Sequence, residues 1–176
     1  MAWACDDAAL ATTPWAPLAA RRRGVDPPEE SVLYCKARHE PGAPLTLLVT
    51  DLARMWAARL PAADAARSFR EQNASVLEDQ VPDMLARVVE VLCGSREPAG
   101  TPSFRLEGAA GTPGRAAGSG AAAATEPLGA RLILEVPLTK YVQYAVTCDA
   151  VEAPLAAGLL REQLVLPLLH MAGGLA

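Results

Sequence analysis

The residues of this chain with reactive side chains are few and scattered. They are His39 and His170, the cysteines Cys5, Cys35, Cys93 and Cys148, Ser119 in "GSGA", and the triplet Arg21-Arg22-Arg23. A histidine needs a nucleophile or further ligands within reach, and none stands at such a spacing: His39 lies in a charged turn and His170 at the end of a leucine-rich segment. The cysteines occur singly with no C-x-x-C pair, so neither zinc nor a disulfide framework is expected. Those in apolar segments, Cys35, Cys93 and Cys148, read as small buried groups in a reduced compartment. Ser119 lacks the strand-turn-helix setting of a nucleophile elbow. "GAAGTPG" ends without the Gly-Lys-Ser/Thr of a phosphate loop. The arginine triplet has the chemistry of a nuclear import signal or a phosphate contact, and equally that of a solvated loop. Catalysis, a cofactor and a metal are therefore not expected.

The remaining residues must then build a surface. The chain has 176 residues, 51% of them hydrophobic, which is enough for one domain with a full core and too little for two. A charged fraction of 20% and a net charge of −4 argue against a domain-wide phosphate-neutralising face. Asp6 and Asp7 interrupt the alanine-rich N-terminus where a secretory signal would need a continuous apolar stretch. No run approaches the roughly 18–20 apolar residues of a spanning helix, so a soluble intracellular protein is expected.

Loops are expected at Arg21–Glu30, "RRRGVDPPEE", and at Glu40–Pro44, "EPGAP". The Gly/Ala/Pro-rich region from Gly94 to Gly129 reads as a disordered surface excursion around one short strand. Strands are expected at Ser31–Ala37, where Leu33, Cys35 and Ala37 alternate with Val32, Tyr34 and Lys36, and at Leu45–Val49, Phe104–Leu106, Arg131–Val136 and Tyr141–Cys148. Asp64–Cys93 carries apolar residues at helical spacing, interrupted by "LEDQVP" with Pro82 suited to a first turn, and so reads as two helices. A further helix is expected over Val151–Met171. Strands, a helix pair, more strands and a last helix point to an α+β, mainly β chain: an antiparallel sheet or sandwich with segregated helices.

The stretch "LTLLVTDLARMWAARL", Leu45–Leu60, is ambiguous after Asp51. Leu52, Met55, Trp56 and Leu60 fit a helical stripe, and Leu52, Arg54, Trp56, Ala58 and Leu60 fit one face of a strand. Here "LLVTDL" followed by "MW" resembles the strand, turn and tryptophan strand in the head domain of the XLF (Cernunnos) family of non-homologous end-joining factors. Pro14-Trp15-Ala16-x-Leu18 resembles the family's opening motif, and Asp64–Cys93 occupies the place of its inserted helix-turn-helix. "ARLILEV" resembles the following strand, and "QLVLPLLHM" the start of the stalk helix. The likeness spans most of the chain apart from Arg21–Glu30 and Gly108–Leu128.

The resemblance implies a seven-stranded antiparallel sandwich head over residues 1–150, with Trp15 and Trp56 as structural core residues, an insertion at about 108–128, and a stalk helix beginning in 151–176. It implies a nuclear, non-catalytic scaffold for double-strand-break repair. The head would bind the head of the ligase IV scaffold protein, a stalk would form the homodimer, and a basic tail would bind Ku and DNA. The chain reads "MAGGLA" at its end, so stalk and tail are expected to be largely missing. The partner contact would fall at Ser75, Val76 and Leu77, with Val76 or Leu77 as the apolar knob, and at Lys140 and Tyr141. The family's basic residue before the knob is not matched. The same architecture resembles PAXX and the centriolar cartwheel proteins, and a peptide-binding module without a repair role is a further alternative.

Overall fold

The computed structural model describes Leu10, residues 12–108 and residues 130–161. Among these, the chain forms β1 (Ala16–Arg22), β2 (Glu29–Arg38), β3 (Leu45–Thr50), β4 (Met55–Leu60), α1 (Ala62–Gln72), α2 (Val81–Leu92), β5 (Ser103–Glu107), β6 (Arg131–Pro137), β7 (Gln143–Ala150) and α3 (Ala153–Leu160). His170, Ser119, Cys5 and the insertion 109–129 lie outside the described residues, as does the expected helix beyond residue 161.

β1 to β4 form an antiparallel meander, and α1 and α2 then carry the chain back to β5, which lies parallel to β1. β6 and β7 complete the circuit, and β7 meets β4, giving the closed order β1-β2-β3-β4-β7-β6-β5. This corrects the expected antiparallel sandwich: the sheet is mixed and closed as a barrel. A parallel neighbour needs a crossover connection, and the helix pair supplies it. Both closing seams are short. β1 and β5 share the pairs Arg21↔Ser103 and Arg22↔Phe104, while β4 and β7 share Trp56↔Ala150 and Ala57↔Asp149. Closure satisfies backbone groups that a sandwich would leave at its edges: the Arg21 and Arg23 N–H groups donate to the carbonyls of Pro102 (2.8 Å) and Phe104 (2.7 Å).

Alternation along each strand sends Leu33, Cys35, Ala37, Leu45, Leu47, Val49, Trp56, Leu132, Leu134, Tyr144, Val146 and Cys148 into one interior core. Phe69 of α1 and Leu85 and Val88 of α2 close it from outside the sheet. Phe69 meets the Tyr144 ring at a centroid distance of 5.3 Å. Every residue of β3 is buried because its other face is covered too. There Leu48, Met55 and Ala57 pack with Leu10 and with Ala156 and Leu159 of α3.

Two expected loops contract. Arg21, Arg22, Glu29 and Glu30 belong to strands, since the β1–β2 register sets Arg21 opposite Glu30 and Arg22 opposite Glu29. Opposite charges across the ladder extend the hairpin past its apolar alternation. From Gly94 onward the chain is tied down: the Gly94 and Ser95 N–H groups return to the carbonyls of Val91 and Glu90, and Ala99 donates to Pro137. The expected strand start at Tyr141 moves to Gln143. Thr139 Oγ1 accepts from the Tyr141 and Val142 amides, and the Val142 carbonyl accepts from Leu138 and Thr139, which bends the chain into a turn.

The parallel seam has its own side-chain staple. Glu135 of β6, nearly buried, accepts from Ser103 Oγ (3.1 Å) and faces Arg23 Nη1 (3.1 Å) and Arg105 Nη1 (3.4 Å). Glu135→Ala is expected to cost about 1–2 kcal/mol, because three polar partners lose a charged acceptor at once. Breaking the exposed Arg38–Glu40 pair should cost under about 0.5 kcal/mol. Urea titrations at low and high salt would check both: a Glu135→Ala loss no larger than that of the exposed pair would refute the staple.

Candidate partner-binding surface

The cysteines, His39 and the arginine triplet among the described residues stand apart from one another. Cys35 and Cys148 are fully buried in the barrel. Burial first, and neighbouring thiols second, hold both far above the usual thiol range. The Cys93 thiol donates to the Ala37 carbonyl at 3.2 Å. His39 stands at the end of β2, on the wall of a groove of about 890 Å³ between α1, α2 and the β2–β3 turn. Of the arginine triplet, two residues belong to β1, Arg22 faces Glu29 (4.0 Å), and Arg23 is held by Glu135. No cluster of three metal-ligating side chains occurs among the described residues.

The turn after α1 is built differently. α1 stops at Gln72, and Asn73, with φ −137°, leaves the helical path. Asn73 is only 6% exposed, so its amide must find partners. Its Nδ2 donates to the Phe69 carbonyl (3.0 Å), one of the acceptors a helix end leaves open, and to the Gln143 carbonyl (2.8 Å). Its Oδ1 accepts from the Gln143 amide (3.3 Å). Gln72 repeats the motif one step along: its Nε2 donates to the Ala145 carbonyl (3.1 Å) and its Oε1 accepts from the Ala145 amide (2.7 Å).

Gln143 and Ala145 lie on β7 before its short pairing with β4 begins. Two side-chain amides thus continue the sheet where β4 diverges from β7. They also bind the turn 73–77 to the turn that opens β7.

That clamp ties the turn carrying Ser75, Val76 and Leu77 to the start of β7, just after Lys140 and Tyr141. Asn73 begins the tight turn closed by the Val76 amide (3.0 Å), and Gln143 follows Tyr141 directly after Val142. Ser75 is exposed; Val76 turns inward onto the core, while Leu77 points out with 63% of its surface exposed. Tyr141 is 82% exposed, and Lys140 Nζ lies 5.4 Å from its ring centroid. A basic group does stand beside the turn: Arg70 of α1 reaches Glu78 at 3.3 Å, next to Leu77. Sequence reasoning left the family's basic residue unmatched at Ser75–Leu77 and did not single out Arg70, which the helix end and the following turn bring beside Glu78. It also missed Gln72 and Asn73, for which a polar pair at a helix end was the sole signal.

The two tryptophans separate. Trp56 is 2% exposed inside the barrel, and its Nε1 donates to the Ala130 carbonyl at 2.9 Å. Trp15 is half-buried against the outer apolar cluster, with Lys36 Nζ 5.2 Å from its ring centroid.

Comparison with known proteins places this surface in context. No curated protein matches the chain. Residues 14–112 match the family model of the XLF N-terminal domain, from the Pro14-Trp15 opening through the tryptophan strand, both helices and β5. That match covers more than half of the sequence, and the chain belongs to the XLF family.

Proposed function

We propose that this chain is a non-catalytic scaffold of double-strand-break repair by non-homologous end joining, and that its barrel is a head domain with α3 as the start of a stalk. The partner is the head of the ligase IV scaffold protein. It docks on the surface carrying Leu77 and Tyr141, with Ser75 and Lys140 at its rim and Val76 supporting it from beneath. Bridging of DNA ends in the nucleus follows from repeated head-to-head contacts. Ku, DNA and a homodimeric stalk are the further partners that family membership suggests.

The observation carrying this reading is the coincidence of two exposed large apolar side chains with a rigid clamp directly between their turns. Val32, Leu52 and Leu155 are exposed as well, but Leu77 and Tyr141 are the two whose turns the clamp joins, and interfaces concentrate binding energy in a few such anchors. Leu77→Asp should weaken binding of the same organism's ligase IV scaffold head by about 100-fold, since a charge placed in a desolvating contact costs roughly 2–4 kcal/mol. Calorimetric titration with the folded variant checks this. A well-folded parent chain that fails to bind at high micromolar concentration would sink the proposal.

A further inference from the structure

The turn 74–78 borders the groove between α1, α2 and the β2–β3 turn. Val76 and Glu78 line that groove, with Ala62 and Ala66 of α1 and Leu85 of α2 across from them. Ala62 and Ala66 stand one helical turn apart on the same face, and their small side chains leave room for another chain to approach. Leu77 does not line the hollow: it stands between two residues that do, with 63% of its surface exposed. A knob and a hollow therefore lie side by side on one molecule.

The charges decide what fits. Besides His39, the ionisable residues on the groove wall are Arg67 and Arg70 against Glu71 and Glu78. Two cations balance two anions, so neither a wholly acidic nor a wholly basic segment is favoured. The wall is instead complementary to itself, because across a two-fold axis each residue meets in the other copy what the other copy's equivalent meets in return. Existing pairs do not stand in the way. Arg70 and Glu78 are 3.3 Å apart with side chains 52% and 82% exposed, and such surface pairs are worth under about 1 kcal/mol. Glu71 makes no ion pair among the described residues.

We propose that the occupant of this groove is a second copy of the chain. Across a two-fold axis the turn 74–78 of each copy enters the groove of the other, Leu77 goes in between α1 and α2, and Arg67 and Arg70 meet Glu71 and Glu78. The contact lies away from the stalk: α3 follows the end of β7 at Ala150, whereas the clamp holds the turn at Gln143, where β7 begins. It holds whether or not the ligase scaffold binds, although one Leu77 cannot serve both contacts at once.

Sedimentation equilibrium of the full chain, from micromolar to millimolar concentration and without any partner, tests it. The mass should rise with concentration. Arg67→Glu with Arg70→Glu, and Glu71→Arg with Glu78→Arg, should each weaken self-association at least about tenfold, because like charges then face each other. An equimolar mixture of the two double variants should associate as tightly as the parent or tighter, since opposite charges meet again. Adding Leu77→Ala to both should weaken that mixture about tenfold, which simple attraction between oppositely charged proteins would not show. All five side chains are exposed, so the variants should fold, and circular dichroism checks this. A mass independent of concentration, or self-association indifferent to the charge reversals as a stalk contact would be, would overturn the proposal. So would a mixture that fails to associate, or one that Leu77→Ala leaves unchanged.

Discussion

Trp56→Ala should lower the unfolding free energy by about 3–5 kcal/mol, the range for removing a large aromatic side chain from a core. The effect has two parts. The indole fills the barrel beside the short β4–β7 seam, where Trp56 itself pairs with Ala150, so the cavity opens at one of the two short closing seams. The indole N–H also satisfies the carbonyl of Ala130, at the head of β6, in a buried hydrogen bond. Trp56→Phe separates the parts: it retains most of the ring but orphans that carbonyl, and should cost about 1–3 kcal/mol. Since domains are stable by only about 5–15 kcal/mol, the alanine variant should be largely unfolded well below the parent's melting temperature. Urea denaturation followed by far-UV circular dichroism gives both values. A loss below about 1 kcal/mol for Trp56→Ala would mean the seam closes without its indole.

Asn73→Asp is expected to be comparably severe, at about 3–5 kcal/mol near neutral pH. The substitution removes both amide donors and sets a carboxylate against the carbonyls of Phe69 and Gln143 in a buried position. Asn73→Ala, which only leaves groups unpaired, should cost about 2–3 kcal/mol. The two differ in pH dependence. The new carboxyl, facing acceptors, would have a folded-state pKa above its unfolded value near 4. The folded state then holds more protons between those two values, so stability of Asn73→Asp rises as pH falls through the raised pKa, and that of Asn73→Ala shows no such step. Both variants should speed exchange of the Gln143 amide, and both should weaken partner binding without touching Leu77 or Tyr141. Wild-type stability in Asn73→Asp would show that the clamp contributes nothing.

How far these features were legible in the sequence depended on their range. The inward set of β2, the doubly buried β3 run, and the helix pair with Pro82 in the first turn of α2 are local periodicities, and the structure follows them. Trp56 was ambiguous between helix and strand by spacing alone. The strand won because Asp51 Oδ1 accepts from the Ala53 and Arg54 amides and fixes the turn before it. Tyr141 was read as a strand residue because its type favours strands, while the Thr139 hydroxyl that bends the chain leaves no periodic trace.

By itself, then, the sequence determined which residues alternate, which stripe of each helix is apolar, and where turns interrupt them. Only the tertiary structure decided that the sheet closes as a barrel through a parallel seam, that Gln72 and Asn73 stand in for a missing stretch of strand, and that Lys36 is buried beneath the N-terminal segment. The physical reason is the same in each case. Side-chain period is imposed by the backbone over a few residues, whereas β1 meeting β5, an amide meeting β7 and a lysine meeting Leu10 are pairings between residues far apart in the chain, and such pairings are chosen by the packing of the whole.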